Sequence, residues 1–120
     1  MKFQFKLTGK EYDAISNILD LYWAEVDSGE WQAGLLDIND GVLEINGVDG
    51  AVMFLENSIG EIDLCREAMH GIYREPSEYG EAYRIHRRIK KINLAVLTAF
   101  PEAREHFGYL GDYLPKKQGA

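Results

Sequence analysis

Within its first 26 residues this chain changes hydrophobic period from two to about 3.6, which commits it to a mixed fold. Residues 2–7, KFQFKL, alternate strictly. Phe3, Phe5 and Leu7 fall on one side; Lys2, Gln4 and Lys6 fall on the other. That is a half-buried strand. Thr8-Gly9-Lys10-Glu11 then reads as a capping box, in which the Thr hydroxyl and Glu carboxylate each accept from an orphan amide. A helix follows to about Val26, with Tyr12, Ile15, Leu19, Tyr22 and Val26 as its apolar stripe, widened by Ile18, and Gly29 as its terminator.

Residues 35–56 read as a three-stranded meander. Asp40-Gly41 and Asp49-Gly50 are type I′ hairpin signals, since both central positions need positive φ. The first turn sets Ile38 opposite Leu43, Leu36 opposite Ile45 and Asp37 opposite Glu44. The second would set Ile45 opposite Phe54, with Val52 beside it. Asp37 facing Glu44 is unfavourable unless a cation compensates. Lys2 or Lys6 could do so from a neighbouring first strand.

Ser58-Ile59-Gly60-Glu61 reads as a second capping box, opening a helix with Ile62, Cys65, Met69 and Ile72 inward and ending before Pro76. Ser77 can cap a third helix over about 78–100, with Ala82, Ile85, Ile89, Ile92, Val96 and Ala99 inward. Pro101 can start a short helix that Gly108 ends. The expected class is α+β, in the order β-α-β-β-β-α-α, with a small antiparallel sheet packed against helices. Residues 1–114 should form one globular domain, and 115–120 should fray.

Charge is distributed unevenly. Between Glu11 and Cys65 there are 13 Asp and Glu residues but no Lys or Arg. Residues 84–91, RIHRRIKK, carry five bases and no acid, against a net charge of −7 for the chain. A negative field disfavours nucleic acid and anionic membranes over most of the surface. The longest apolar run, INLAVLTAF, is too short to span a bilayer. The first residues lack the apolar stretch of a secretory leader. The single cysteine, Cys65, excludes an internal disulfide. A cytoplasmic protein is expected.

No catalytic signature survives inspection. Asp37-Ile38-Asn39-Asp40-Gly41 suggests a calcium loop, but an EF-hand needs Gly at position 6 and Glu at position 12. Here the glycine comes fifth and the twelfth residue is Val48. His70, His86 and His106 sit on separate elements as expected surface residues, without the spacing of a metal site. Cys65 lies on an inward stripe, where a thiol behaves as a small hydrophobe. Nucleotide-binding glycine loops, GxSxG and HExxH are all absent. Neither enzyme activity nor a cofactor or metal is expected.

Two charged surfaces remain. Asp13, Asn17, Asp20 and Asp27 share one face of the first helix, and Trp23 borders it. Glu30, Trp31, Asp37 and Glu44 extend the acidic, aromatic set. Aromatic anchors beside carboxylates suit a protein interface, in which Trp supplies buried area and the acids steer. Arg84, Arg87, Arg88 and Lys91 share one face of the third helix. They are expected to be compensated internally or to meet a second copy in a homodimer, rather than to sit on phosphates.

The expected function is therefore a non-enzymatic acidic binding module, an inhibitor or adaptor that occupies a basic, even nucleic-acid-binding, surface of a partner. Small phage anti-defence proteins share this size and charge, an analogy of class. A small-molecule-binding domain or minor enzyme with a pocket between sheet and helices is the alternative, and a homo-oligomeric structural protein is a third.

Overall fold

The computed structural model describes residues 2–70 and 76–105. Its elements run β1 (Lys2–Lys6), α1 (Gly9–Asp27), β2 (Leu36–Asn39), β3 (Val42–Asn46), α2 (Gly47–His70) and α3 (Pro76–Ala99). A 3₁₀ turn over 101–105 follows. The fold is α+β, with an antiparallel sheet ordered β1-β3-β2 against the helices. The expected ends beyond these residues, namely Ile72, Gly108 and the 115–120 tail, lie outside the described residues, as does His106.

The sheet follows from the alternation. Phe3 pairs with Ile45 and Ile45 with Leu36; Phe5 pairs with Leu43 and Leu43 with Ile38. These six residues make one apolar face, with Leu36, Leu43 and Ile45 fully buried. Phe3 closes the face edge-on against Phe100, with centroids 6.2 Å apart. The hairpin between β2 and β3 has the expected register, and Asp40 and Gly41 hold φ of 52° and 76°. On the outer face Glu44 is flanked by Asp37 and Gln4. Lys2 meets its carboxylate at 3.1 Å and Gln4 donates to it at 2.9 Å. The cross-strand repulsion is thus offset by β1, through the expected Lys2 and an amide that was not anticipated.

The third strand of the meander does not form; residues 47–56 are the first turns of α2. Ala51-Val52-Met53-Phe54-Leu55 is a short apolar run that either period can accommodate. The helical period wins because Ala51, Phe54, Leu55, Ser58, Ile62, Cys65 and Met69 form one continuous buried stripe. Phe54 therefore packs from a helix instead of pairing with Ile45. The chain reverses at Gly47, whose φ is +70°.

Gly50 serves a different need from a hairpin. A Cβ there would lie 2.7 Å from the Leu35 carbonyl oxygen, so glycine lets α2 approach the chain entering β2. The second capping box also dissolves into the middle of α2. Ser58 is fully buried; its hydroxyl donates to Leu55 O and accepts from Asn93 Nδ2 on α3, each at 2.9 Å. Similarly, α3 begins at Pro76, so Ser77 lies inside it rather than capping it. Proline suits a first helical position because its missing N–H has no intrahelical acceptor there.

The first helix matches its expected bounds, with the Thr8–Glu11 capping box formed and Gly29 at φ +84° just past its end. Its inward stripe is shifted at the start. Glu11 is 4% exposed, whereas Tyr12, expected inward, is 43% exposed. The capping geometry turns the Glu11 carboxylate back over Thr8 and under α3, which takes the inward position. Tyr22 is fully buried; its hydroxyl donates to Gln32 O at 2.7 Å and accepts from Leu35 N at 3.0 Å, tying down the connection to β2. On α3, Ala82, Ile89, Ile92 and Val96 are buried as expected, with Ile85 and Ala99 partly so. Among the described residues no helix is long and apolar enough to cross a membrane.

Replacing Gly50 by Ala should destabilise the fold. Helix propensity alone would favour Ala by about 1 kcal/mol, but overpacking against a backbone carbonyl typically costs about 1–3 kcal/mol. The net loss appears as a lower urea midpoint; an equal or higher midpoint would show that α2 can start elsewhere. Ser58→Ala should cost about 1–3 kcal/mol, because it leaves the Asn93 amide buried without its acceptor. Adding Asn93→Leu should recover most of that loss, whereas simply additive losses would exclude the coupling.

Candidate functional site

Because α1 is bounded by its capping box and Gly29, the heptad spacing of its acids becomes a line on one face. Asp13, Asn17, Asp20 and Asp27 are all exposed. At 1.5 Å per residue the line runs about 21 Å from Asp13 to Asp27. No described cation pairs with Asp13, Asp20 or Asp27. Glu30, just past the helix, is also exposed.

Trp23 borders this line and is 40% exposed. Its ring lies 4.8 Å, centroid to centroid, from that of Tyr22, which is itself held by two hydrogen bonds. The indole therefore rests on a fixed base. It lines a recess of about 320 Å³ with Lys2, Gly34, Leu36, Asp37, Glu44 and Asn46. Three of the sequence-predicted residues, Trp23, Asp37 and Glu44, thus converge although they come from a helix and two strands. The Glu44 carboxylate is held below the ordinary glutamate range, chiefly by the hydrogen bond from Gln4 and then by Lys2. Asp37 accepts from the Ile38 amide at 2.8 Å and stays exposed. Trp31 is half-buried against the core, so much of its ring serves packing.

The basic stripe lies elsewhere. Arg84, Arg87, Arg88 and Lys91 face the start of α1, and with Thr8, Gly9, Lys10 and Glu11 they line a cleft of about 820 Å³. Lys91 meets the buried Glu11 carboxylate at 3.2 Å. Glu11 Oε1 also accepts from the Thr8 amide at 2.9 Å. Burial pushes the Glu11 carboxyl up, but the Thr8 amide and Lys91 together outweigh it and hold the group below its ordinary range. Internal compensation, one of the two outcomes expected for the stripe, is seen at Lys91 among the described residues. No described carboxylate pairs with Lys10, Arg84, Arg87 or Arg88.

The recess and the cleft were both missed as cavities, because each is closed by residues far apart in sequence. The recess lies between α1 and the sheet, and the cleft lies between two helices. His86 is not a simple surface residue. Its Nε2 is shielded and makes no hydrogen bond among the described residues, and burial, then Lys90 and Arg66, pushes its pKa down. Cys65 is buried, and desolvation followed by the charge of Glu61 pushes its thiol up, away from nucleophilic chemistry. Among the described residues no three His, Cys, Asp or Glu side chains come together as a metal site. No protein-family model, curated protein or solved structure matches this chain.

The Glu11 geometry fixes a pH response. Its folded pKa is depressed, so the stability it contributes is fully present above the ordinary value of 4.5 and is lost as pH falls through the lower folded value. Urea midpoints measured from neutral pH down to the acid limit should therefore fall more steeply for the natural chain than for Glu11→Gln. That variant keeps an acceptor for Thr8 but has no charge to titrate. Identical slopes would show that Glu11 does not couple folding to pH.

Proposed function

We propose that this chain is a non-enzymatic protein-binding module. It acts as an inhibitor or adaptor that sets the acidic face of α1 and the Trp23 recess against a basic surface of a partner, such as a surface that otherwise holds nucleic acid. The observation that carries this reading is the exposed Trp23 ring, supported by Tyr22 and bordered by Asp20 and Asp27, for which no described residue supplies a counter-charge. Trp is a frequent energetic anchor of interfaces because a large rigid ring loses little entropy on burial. Unneutralised carboxylates around it raise the association rate with a cationic partner and exclude anionic ones. The partner is a basic protein, and the compartment is the cytoplasm, where a single buried thiol needs no disulfide partner.

The test is affinity capture from host extract with the natural chain, the triple variant Asp13→Lys, Asp20→Lys, Asp27→Lys, and Trp23→Ala. The charge reversals should leave the thermal midpoint nearly unchanged, since exposed charges each contribute under about 1 kcal/mol. Recovery of the partner should fall as salt rises and should be lost with the triple variant. Trp23→Ala should weaken the complex by about 2 kcal/mol or more, as anchor truncations do. A complex indifferent to salt and to all four substitutions would rule the acidic face out.

A further inference from the structure

We propose that the cleft between α3 and the start of α1 is a binding site for a compact polyphosphate group, carried by a small molecule. It is independent of the acidic-face proposal and uses different residues. Five cations line or border the cleft: Lys10, Arg84, Arg87, Arg88 and Lys91. Glu11, the one acid among its described lining residues, is already engaged, since its carboxylate caps Thr8 and meets Lys91. That leaves Lys10 and three arginines converging without a described counter-charge.

Such a cluster in a chain of net charge −7 is held against its own mutual repulsion, and a bound anion would relieve it. The guanidinium groups are not free in space. Arg87 sits over the Tyr83 ring at 5.8 Å, and Tyr83 stacks on Tyr79 with their planes 6° apart. Arg84 lies back over Gly80, where an added Cβ would come within 3.3 Å of its Nη1. Arginines seated this way lose less freedom on binding, and their planar forks match phosphate oxygens two at a time.

The start of α1 adds to this field without carrying it. Its capping box satisfies the amides of Thr8 and Glu11. The amides of Gly9 and Lys10 have no intrahelical acceptor, and space beside Gly9 is open. A cavity of about 820 Å³ is within the range that holds small ligands, and it is larger than phosphate alone requires. Size and field together favour a small ligand over a duplex. A compact anion inside the cleft experiences cations within a Debye length of about 8 Å, whereas a long polyanion must also cross the surrounding acidic surface.

Calorimetric titration of the full chain at low ionic strength tests this, with inorganic tripolyphosphate as the probe. One saturable site is expected. Arg84→Ala with Arg87→Ala should weaken binding by roughly tenfold or more, since charge-assisted contacts are lost. Both side chains are exposed, so the variant should fold, and its circular dichroism verifies that. Lys6→Ala, an exposed cation on β1 outside the cleft, should bind like the natural chain. Tighter binding of a nucleoside triphosphate than of tripolyphosphate would assign the source to a nucleotide; equal binding would assign it to the polyphosphate itself.

The proposal fails if tripolyphosphate shows no saturable binding, or if Lys6→Ala loses as much as the arginine pair. It also fails if duplex DNA displaces tripolyphosphate at equal phosphate concentration. Salt-sensitive self-association that disappears on reversing Asp13, Asp20 and Asp27 would instead assign the cleft to a second copy of this chain.

Discussion

The buried Glu11 side chain joins the start of α1 to α3. Its carboxylate accepts from the Thr8 amide where β1 gives way to α1, and it meets Lys91 on α3. Three elements meet at one buried group. A buried carboxylate is tolerable only when it is compensated, and here the Thr8 amide donates to Oε1 and the Lys91 ammonium forms an ion pair with Oε2. The same contact determines how the basic stripe is presented. By holding Lys91 down against α1, it brings the rest of the stripe over the helix start, which turns a row of cations into the wall of a cleft.

Local signals carried the parts of the fold that depend on neighbours in sequence. The Thr8–Glu11 box is legible because both of its hydrogen bonds lie within four residues. The β2–β3 register is legible because Asp40-Gly41 leaves little choice of turn. Local signals mislead where a residue answers to a distant partner. Gly50 looks like the second half of a hairpin signal, yet it is glycine because the Leu35 carbonyl is 2.7 Å from where its Cβ would be. Ser58 looks like a helix cap, yet it is a buried link to Asn93 on another helix. A short apolar run between such residues has no period of its own to decide the matter, and the stripe that continues to Met69 decides it instead.

The surfaces divide in the same way. The acidic line could be read from heptad spacing once the limits of α1 were known. The recess around Trp23 could not, because Leu36, Asp37, Glu44 and Asn46 reach it from two strands. For the basic stripe, the spacing gave the face of α3 but not the element opposite it. The two expected outcomes, internal compensation or contact with a second copy, rested on net charge, which says nothing about which acids are within reach. Among the described residues, Glu11, which α1 turns inward, is the acid that reaches the stripe.

The charge arrangement runs against the helix that connects the two surfaces. Helices are ordinarily stabilised by acids in the first turn and bases in the last, by about 0.3–1 kcal/mol each when exposed. In α1 the last turn holds Glu25 and Asp27 and no base. Its terminal carbonyls are satisfied by backbone amides, with Ser28 donating to Ala24 and Gly29 to Val26. At the other end Glu11 follows the rule, but Lys10 and the α3 arginines crowd the positive pole. So α1 carries its negative line to its negative end and meets the positive cluster at its positive end. The dipole and the side chains add, which steepens the field along the molecule at some cost to the helix. A sequence selected for stability alone would place these charges the other way round. The local rules are broken in one consistent direction, and the result is a small domain with two oppositely charged surfaces at the two ends of one helix.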